Sequence, residues 1–385
     1  MTERGLSTKP IPLTPAEAID RLRLARTDGV GPVTYRRLLR RFATAAEAID
    51  ALPGLTRAGG KAAAPAVPSV SAAKREMAAL AKLGGRMVFL DGPDYPAALA
   101  QFDIAPPLLS VLGNVALLGR RAVAVVGARN ASINGQRMAE LLAADLALAG
   151  LVVVSGLARG IDAAAHEGAL RTGQTVAAVA GGVDVAYPPE NAALQRRIAE
   201  GGAVVAEAPM GTAPQARHFP RRNRVIAGLA LGVVVIEAAP RSGSLITAQI
   251  ALEEGRAVFA VPGSPLDPRC RGSNGLLRDG AHLTESAADV TAHLPPSIES
   301  ALPPLPLGFA DGLERYDGPE VDLAAIVAQV VSLLSPSPTL VDDLMRRCQL
   351  SVHAVQGALM ALELSHRIQM LPGNQVALID EGRPT

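Results

Sequence analysis

Between residues 122 and 261 the hydrophobic positions come in short, almost unbroken runs: Ala122–Val126, Leu151–Val154, Val176–Ala180, Ala203–Ala206, Val233–Ile236 and Ala257–Val261. A strand with one wet face alternates apolar and polar residues. Continuous runs of this length therefore predict strands covered on both faces, as in a parallel sheet. Stretches of helical length, such as Asn134–Ala149 and Asn191–Gly201, separate the runs. Alternation of β and α predicts a doubly wound, Rossmann-like α/β sheet. Ligands of such sheets bind outside the carboxyl ends of the strands. There the sequence sets Gly127-Ala128-Arg129, Ser155-Gly156, Gly181-Gly182, Glu207 and Glu237.

The flanks carry a different pattern. Residues 14–50 have apolar residues at helical spacing, with Pro15 and Glu17 near a helix start. Within them GVGPVTYRRLLRRF, residues 29–42, has the Gly-x-Gly-Pro turn and following helix of a helix-hairpin-helix element. Arg21, Arg23, Arg26, Arg36, Arg37, Arg40 and Arg41 surround it, against the single acid Asp28. Two readings stand: a DNA-gripping turn, or a solvated basic face. Residues 57–75, rich in Ala, Pro, Gly and Ser, read as a linker or long loop, and a short helix and a strand ending at Met87–Leu90 follow. A second, Pro-rich linker occupies 297–319. Beyond it, helices over Asp322–Leu334, Thr339–Arg347 and Val352–Leu362 and a hairpin over His366–Ile379 around Pro372-Gly373-Asn374 predict a winged helix. Its reading helix, SVHAVQGALMALEL from Ser351, has no Arg or Lys. A major-groove helix needs donors for phosphates and base edges, so contact with protein or dimerisation is expected of it instead. The expected domains are thus a helical one over 1–80, the sheet domain over 81–296, the linker over 297–319 and the winged helix over 320–385.

Composition narrows the function classes. Of 385 residues, 49% are hydrophobic and 19% charged, which fits packed domains rather than disorder. The formal net charge of +1 leaves both nucleic acid and small substrates open. Cys270 and Cys348 match no ligand spacing, and MTERGLSTKPIP has no apolar core, so a reducing cytoplasmic setting without signal peptide or membrane span is expected. The six histidines form no metal-binding spacing, so no metal is expected.

Candidate chemistry centres on VVVSGLARGIDAAAH, residues 152–166. A buried strand ends in Ser155-Gly156, and Gly160 opens a helix with Asp162 in its first turn. Backbone amides and a helix N-terminus then meet at the sheet edge, where phosphates bind, and Arg159 adds a mobile cation. Asp162 and His166 are read as internal supports. Enzyme templates fit poorly. The nucleophile elbow lacks its first Gly, since position 153 is Val. No Walker A segment occurs, and GARNASING at 127–135 replaces the dinucleotide fingerprint, so no nucleotide cofactor is expected. Arg217, Arg221, Arg222 and Arg224 with Asn223 cluster instead around Phe219, in a chain that is 3% aromatic and lacks Trp. An aromatic among arginines is the pairing on which a base stacks while its phosphate is neutralised. The other reading packs Phe219 in the core and pairs the arginines with Glu207 or Glu237. Ser242-Gly243-Ser244 supplies a further amide-rich turn before a helix.

The ordered strings VAVVGAR, SGLARGIDAAAH, AGGVDVAYPPEN, FPRRNRVIAGL and SGSLITAQIALEEGR resemble the DNA-processing protein A family, also called DprA or Smf. The resemblance extends to a sterile-alpha-motif-like helical domain before them and a winged helix after them. It implies a Rossmann-like domain that binds single-stranded DNA without catalysis, loads RecA in natural transformation and forms a homodimer, with single-strand-binding protein a further partner. Carried onto this sequence, the binding residues fall on Gly127, Arg129, Ser155, Gly156, Arg159, Phe219, Arg221, Asn223 and Arg224, with Arg217 a weaker transfer. The residue arguments add Arg222 and Ser242, Gly243 and Ser244. Ala128 stands where the family usually has Ser or Thr, which removes one hydroxyl donor. The rival is a Lonely-guy type phosphoribohydrolase, whose anion turn carries a catalytic Glu; here Thr247 stands in its place.

Overall fold

The computed structural model describes residues 13–61, 63–296, 323–371 and 374–379, without the side chain of His353. These form two compact units, one of residues 74–296 and one of residues 14–73 together with 323–379. The N-terminal stretch before residue 13, the linker over 297–319 and Pro372-Gly373 of the expected hairpin turn lie outside the described residues.

The first unit is built on β1 (Arg86–Phe89), β2 (Leu108–Gly113), β3 (Ala122–Gly127), β4 (Val152–Ser155), β5 (Thr175–Val179), β6 (Ala203–Ala206), β7 (Gly232–Ile236), β8 (Ala257–Ala260) and β9 (His282–Leu283). They form one sheet in the order β1-β2-β6-β5-β4-β3-β7-β8-β9. The run from β6 to β9 is parallel, and β1 and β2 close one side antiparallel. Every expected strand forms within one residue of its apolar run, because each is buried on both faces. In β3, Val123 and Val125 enter one core while Ala122, Ala124 and Val126 enter the other. The first core is covered by α6 (Ile133–Leu148), α7 (Ile161–Thr172) and α12 (Ala287–Thr291), the second by α5 (Ala97–Ala100), α9 (His218–Leu229) and α10 (Gly243–Glu253). The strand β2 was hidden from the pattern by the turn signals around it. It gains its place from antiparallel pairing with β6, a contact that local sequence does not encode.

The second unit joins the two ends of the chain. Its N-terminal part holds α1 (Pro15–Ala25), α2 (Pro32–Arg41) and α3 (Ala45–Ala58). Thr14 caps α1 by accepting the Glu17 N–H, and Pro15 fills the first helical position, where no amide is needed. The expected long loop is shorter than its composition suggested, since α3 runs to Ala58 and α4 (Val70–Lys82) begins well before residue 75. Arg21 and Arg23 pair with Glu17 and Asp20 on their own helix, which absorbs part of the basic cluster. The C-terminal part is a winged helix: α13 (Leu323–Leu333), α14 (Val341–Cys348) and α15 (Val352–Leu364), with the hairpin of β11 (Ile368–Leu371) and β12 (Gln375–Leu378) and a short strand β10 (Thr339–Leu340) on its edge.

The basic-residue-free helix α15 is buried from two sides. Val355, Leu359 and Leu362 enter the winged-helix core, while Met360 and Leu364 complete the apolar core of α1, α2 and α3 with Leu24, Tyr35, Leu38 and Leu52. Arg367 donates to the Gly59 carbonyl at 3.3 Å, and a Cβ on Gly59 would lie 2.1 Å from the Ala361 carbonyl oxygen. One face of this helix is therefore covered by the chain's own N-terminal bundle. Glu363 sits in the same contact, 4.0 Å from Arg37, and burial holds its carboxyl above the usual range. Leu364→Ala is expected to cost about 2–4 kcal/mol and to raise hydrogen exchange in α3, more than three hundred positions away in sequence. Exchange that rises only within residues 323–379 would contradict the shared core.

Candidate functional site

Strand order reverses between β3 and β7, which pair with Gly127 opposite Ile236. A doubly wound sheet normally opens its ligand crevice at such a switch point. Here the chain fills it. Glu237, at φ +48°, turns its carboxylate to the start of α6, where it accepts the Ser132 N–H at 2.8 Å and the Ser132 hydroxyl proton. Ser132 in turn caps α6 by accepting the Gly135 N–H at 2.9 Å. The positive end of that helix is thus already matched with an anion.

The open cleft lies farther across the sheet, above the carboxyl ends of β4 and β5. It has a volume of about 390 Å³ and combines cations, aromatic rings and main chain. Arg129, just beyond β3, stands with its guanidinium carbon 4.7 Å from the ring centre of Phe219. Phe219 belongs to the first turn of α9 and is half-buried, outside every apolar core cluster of the described residues. Tyr187 meets it with ring centres 5.9 Å apart at 57°, and is 44% exposed. The rings make a corner rather than a stack.

Under this corner lies Arg222, 7% exposed. One terminal nitrogen donates to the Gly156 carbonyl at the end of β4 and, at 3.0 Å, to the Ala178 carbonyl of β5. Nε donates to the Asn223 side chain at 3.2 Å. A Cβ on Gly156 would sit 1.9 Å from that nitrogen, so only glycine admits the arginine. Asp162 completes the pocket beneath. Burial pushes its carboxyl up, against the pull of Arg222 and the Ala158 N–H, and burial likewise lowers Arg222. Deeper still, His166 shares a 2.8 Å hydrogen bond with Thr175, whose hydroxyl donates to the Val153 carbonyl. Thr175 therefore accepts from Nδ1–H, and burial together with Arg222 drives the imidazole pKa down to about 3.

The cleft brings together five of the candidate binding residues, Arg129, Gly156, Arg159, Phe219 and Arg222, with Gly181 of the strand-end set. Arg159 stands at its mouth in an ion pair with Glu190, which raises the guanidinium and lowers the carboxyl. Arg217 and Arg221 are exposed on either side of Phe219. The others do not line the cleft. Ser155 is fully buried, and its hydroxyl donates to Val125 O at 2.6 Å. Arg224 is held by Glu207 at 2.5 Å, and the Asn223 side chain donates to the Gly243 carbonyl at 3.2 Å. Gly127 is packed against Ile236 and Ile161. In the Ser242-Gly243-Ser244 turn the hydroxyls bond to each other at 2.7 Å, and Ser242 caps α10; none of the three lines the cleft. Thr247 is buried behind them.

Sequence reasoning missed Tyr187 and its neighbours. The signal available was an aromatic followed by two prolines just beyond a strand end, in a chain with four tyrosines. Asn191, from the same segment, donates to the carbonyls of Leu157 and Ala158 at 2.9 and 3.3 Å and so holds the β4 turn against this wall. Among the described residues Glu237, Asp267 and Cys270 bring metal-ligand atom types within 4.8 Å, but Glu237 is engaged by Ser132 and Asp267 by Arg269. No helix of the described residues is long and apolar enough to cross a membrane.

Comparison with known proteins follows the same architecture. The model of the DNA recombination-mediator protein A family matches residues 86–295. A DprA-like N-terminal HHH domain matches 15–79, and a DprA winged helix domain matches 315–374. Protein Smf of Escherichia coli (strain K12) is 37% identical over 290 residues, 75% of this chain and 76% of its own. DNA processing protein DprA of Streptococcus pneumoniae (strain ATCC BAA-255 / R6) is 48% identical over 199 residues, 51% of this chain and 70% of its own. The X-ray structure of DNA processing protein A from Streptococcus pneumoniae matches with a TM-score of 0.60 at 36% identity, covering 74% of this chain and 99% of that one.

Two outcomes test the support beneath the cleft. Arg222→Ala strips buried carbonyls of their donor and leaves Asp162 unmatched, so urea unfolding is expected to show a loss of about 3 kcal/mol. An unchanged midpoint would contradict the role given to Arg222. For His166 the ordinary pKa of 6.5 falls to about 3 on folding, so between those values the unfolded chain holds the extra proton. Stability should fall as pH drops through that window, by up to about 1.4 kcal/mol per unit from this residue. Thermal unfolding of His166→Gln across pH 6.5 to 4 should show a shallower slope; an identical slope would mean the imidazole is not buried neutral.

Proposed function

The chain belongs to the DNA recombination-mediator protein A family, and on that premise we propose that the cleft between β4, β5 and α9 binds single-stranded DNA without catalysis. The observation that carries the reading is the guanidinium of Arg129 resting on the half-buried ring of Phe219, at the edge of an open cleft. A planar cation on an aromatic face holds the place that a base takes, and when it swings away its charge becomes available to a phosphate. Exposed Arg217 and Arg221 extend the cationic track along the first turn of α9. Arg159 joins when a phosphate replaces Glu190 beside it. Arg222, Arg224, Ser155 and Asn223 act one layer below, by fixing the loops that the strand meets.

The role this binding serves is the handling of incoming strands in the cytoplasm: protecting them and passing them to RecA during natural transformation, as a homodimer and alongside single-strand-binding protein. The phosphoribohydrolase reading lacks its acid/base group, since the turn before α10 carries Ser242, Gly243 and Ser244 and the helix carries buried Thr247.

Binding of oligo-dT, titrated with salt, tests the assignment. Arg129→Ala is expected to weaken all sequences alike and to flatten the log–log salt slope by about 0.7, the share of one phosphate contact on a single strand. Phe219→Ala is expected to weaken binding with the slope kept. Affinity and slope unchanged in both variants would overturn the reading.

A further inference from the structure

The segment AYPPEN, residues 186–191, is the sequence motif that the phosphate track leaves without a task. Its placement is specific. Pro188 and Pro189 line the cleft beside Tyr187, and opposite them run Val179, Ala180 and Gly181 at the end of β5. The wall is tied down next to the tyrosine by Asn191, whose side chain bridges the Leu157 and Ala158 carbonyls. A large ring left 44% exposed on so fixed a segment is a surface held ready for a flat apolar partner.

We infer that Tyr187 is a base-stacking residue, which with Phe219 forms an aromatic corner that admits one unpaired nucleobase at a time. The inference rests on the reading of the cleft as a single-strand site. Size sets the limit: about 390 Å³ is near the small end of ligand pockets and leaves room for one nucleotide, not a base pair. Geometry sets the mode. Rings at 57° with centres 5.9 Å apart cannot sandwich a base, so it lies flat on one ring with its edge against the other. Duplex bases are paired and stacked, and entry would require their extrusion at a cost of a few kcal/mol. The corner therefore selects single strands by shape, while the arginines supply charge that either form of DNA can use.

Tyr187 contributes no charge, and that separates it from the cationic track. In the full chain, Tyr187→Ala is expected to weaken oligo-dT binding about 5- to 150-fold with the salt slope unchanged. Tyr187→Phe, which keeps the ring, is expected to bind as wild type does. An oligo-dT carrying a single 2-aminopurine gives the second readout: its fluorescence should be quenched on saturation by wild type and Tyr187→Phe, and less so by Tyr187→Ala. The preference for single over double strands should narrow in Tyr187→Ala. Wild-type affinity and quenching in Tyr187→Ala, with Arg129→Ala still impaired, would overturn the stacking role and leave the single-strand site standing. No binding by wild type would overturn both.

Discussion

A buried cation holds the candidate site together. Arg222 reaches from α9 beneath the aromatic corner to the carbonyls at the ends of β4 and β5, with Asp162 below it. Strand ends in a parallel sheet present carbonyls that no neighbouring strand satisfies, and a guanidinium can serve several at once. The arrangement dictates its surroundings. A side chain at position 156 would displace the arginine from this seat. The start of α9 must lie against the β4 turn, which sets Phe219 where Arg129 can cover it.

The second constraint is the chain's own carboxylates. Glu237 occupies the switch point, Glu207 holds Arg224, and Glu190 holds Arg159. Each takes a place where a phosphate could bind a helix start or a cation. The first two are built into the fold, and the open site lies over β4 and β5 rather than at the β3/β7 switch point where a Rossmann-like sheet usually opens. The third sits exposed at the mouth and can be exchanged. In the proposed binding mode the strand's phosphates meet the cations exposed around the cleft, Arg129, Arg217 and Arg221, and Arg159 by replacement.

The strands and the turn at Ser155–Gly160 were legible because a continuous apolar run has few other uses and because glycines mark close approach. Cluster membership was legible too; individual roles were not. Arg221 and Arg222 are adjacent and chemically identical, yet helical rotation turns one outward and buries the other under Phe219. Tyr187 gave little signal, because an aromatic beside prolines reads first as a turn. The pairing of the N-terminal bundle with α15 was beyond reach for another reason. The lack of Arg and Lys on that helix showed it was no major-groove reader, but the partner lies at the far end of the chain, and periodicity marks an apolar face without naming what covers it.

In the proposed binding mode a single strand enters the cleft at the corner formed by Phe219 and Tyr187. Photocrosslinking of a 5-iodouracil-substituted oligo-dT to the full chain, followed by peptide mapping, tests it most directly. Adducts are expected on the segments that carry Tyr187 and Phe219, abolished together in the double alanine variant. Adducts confined to the arginine-rich helices of residues 15–58, with both cleft segments unmodified, would contradict it.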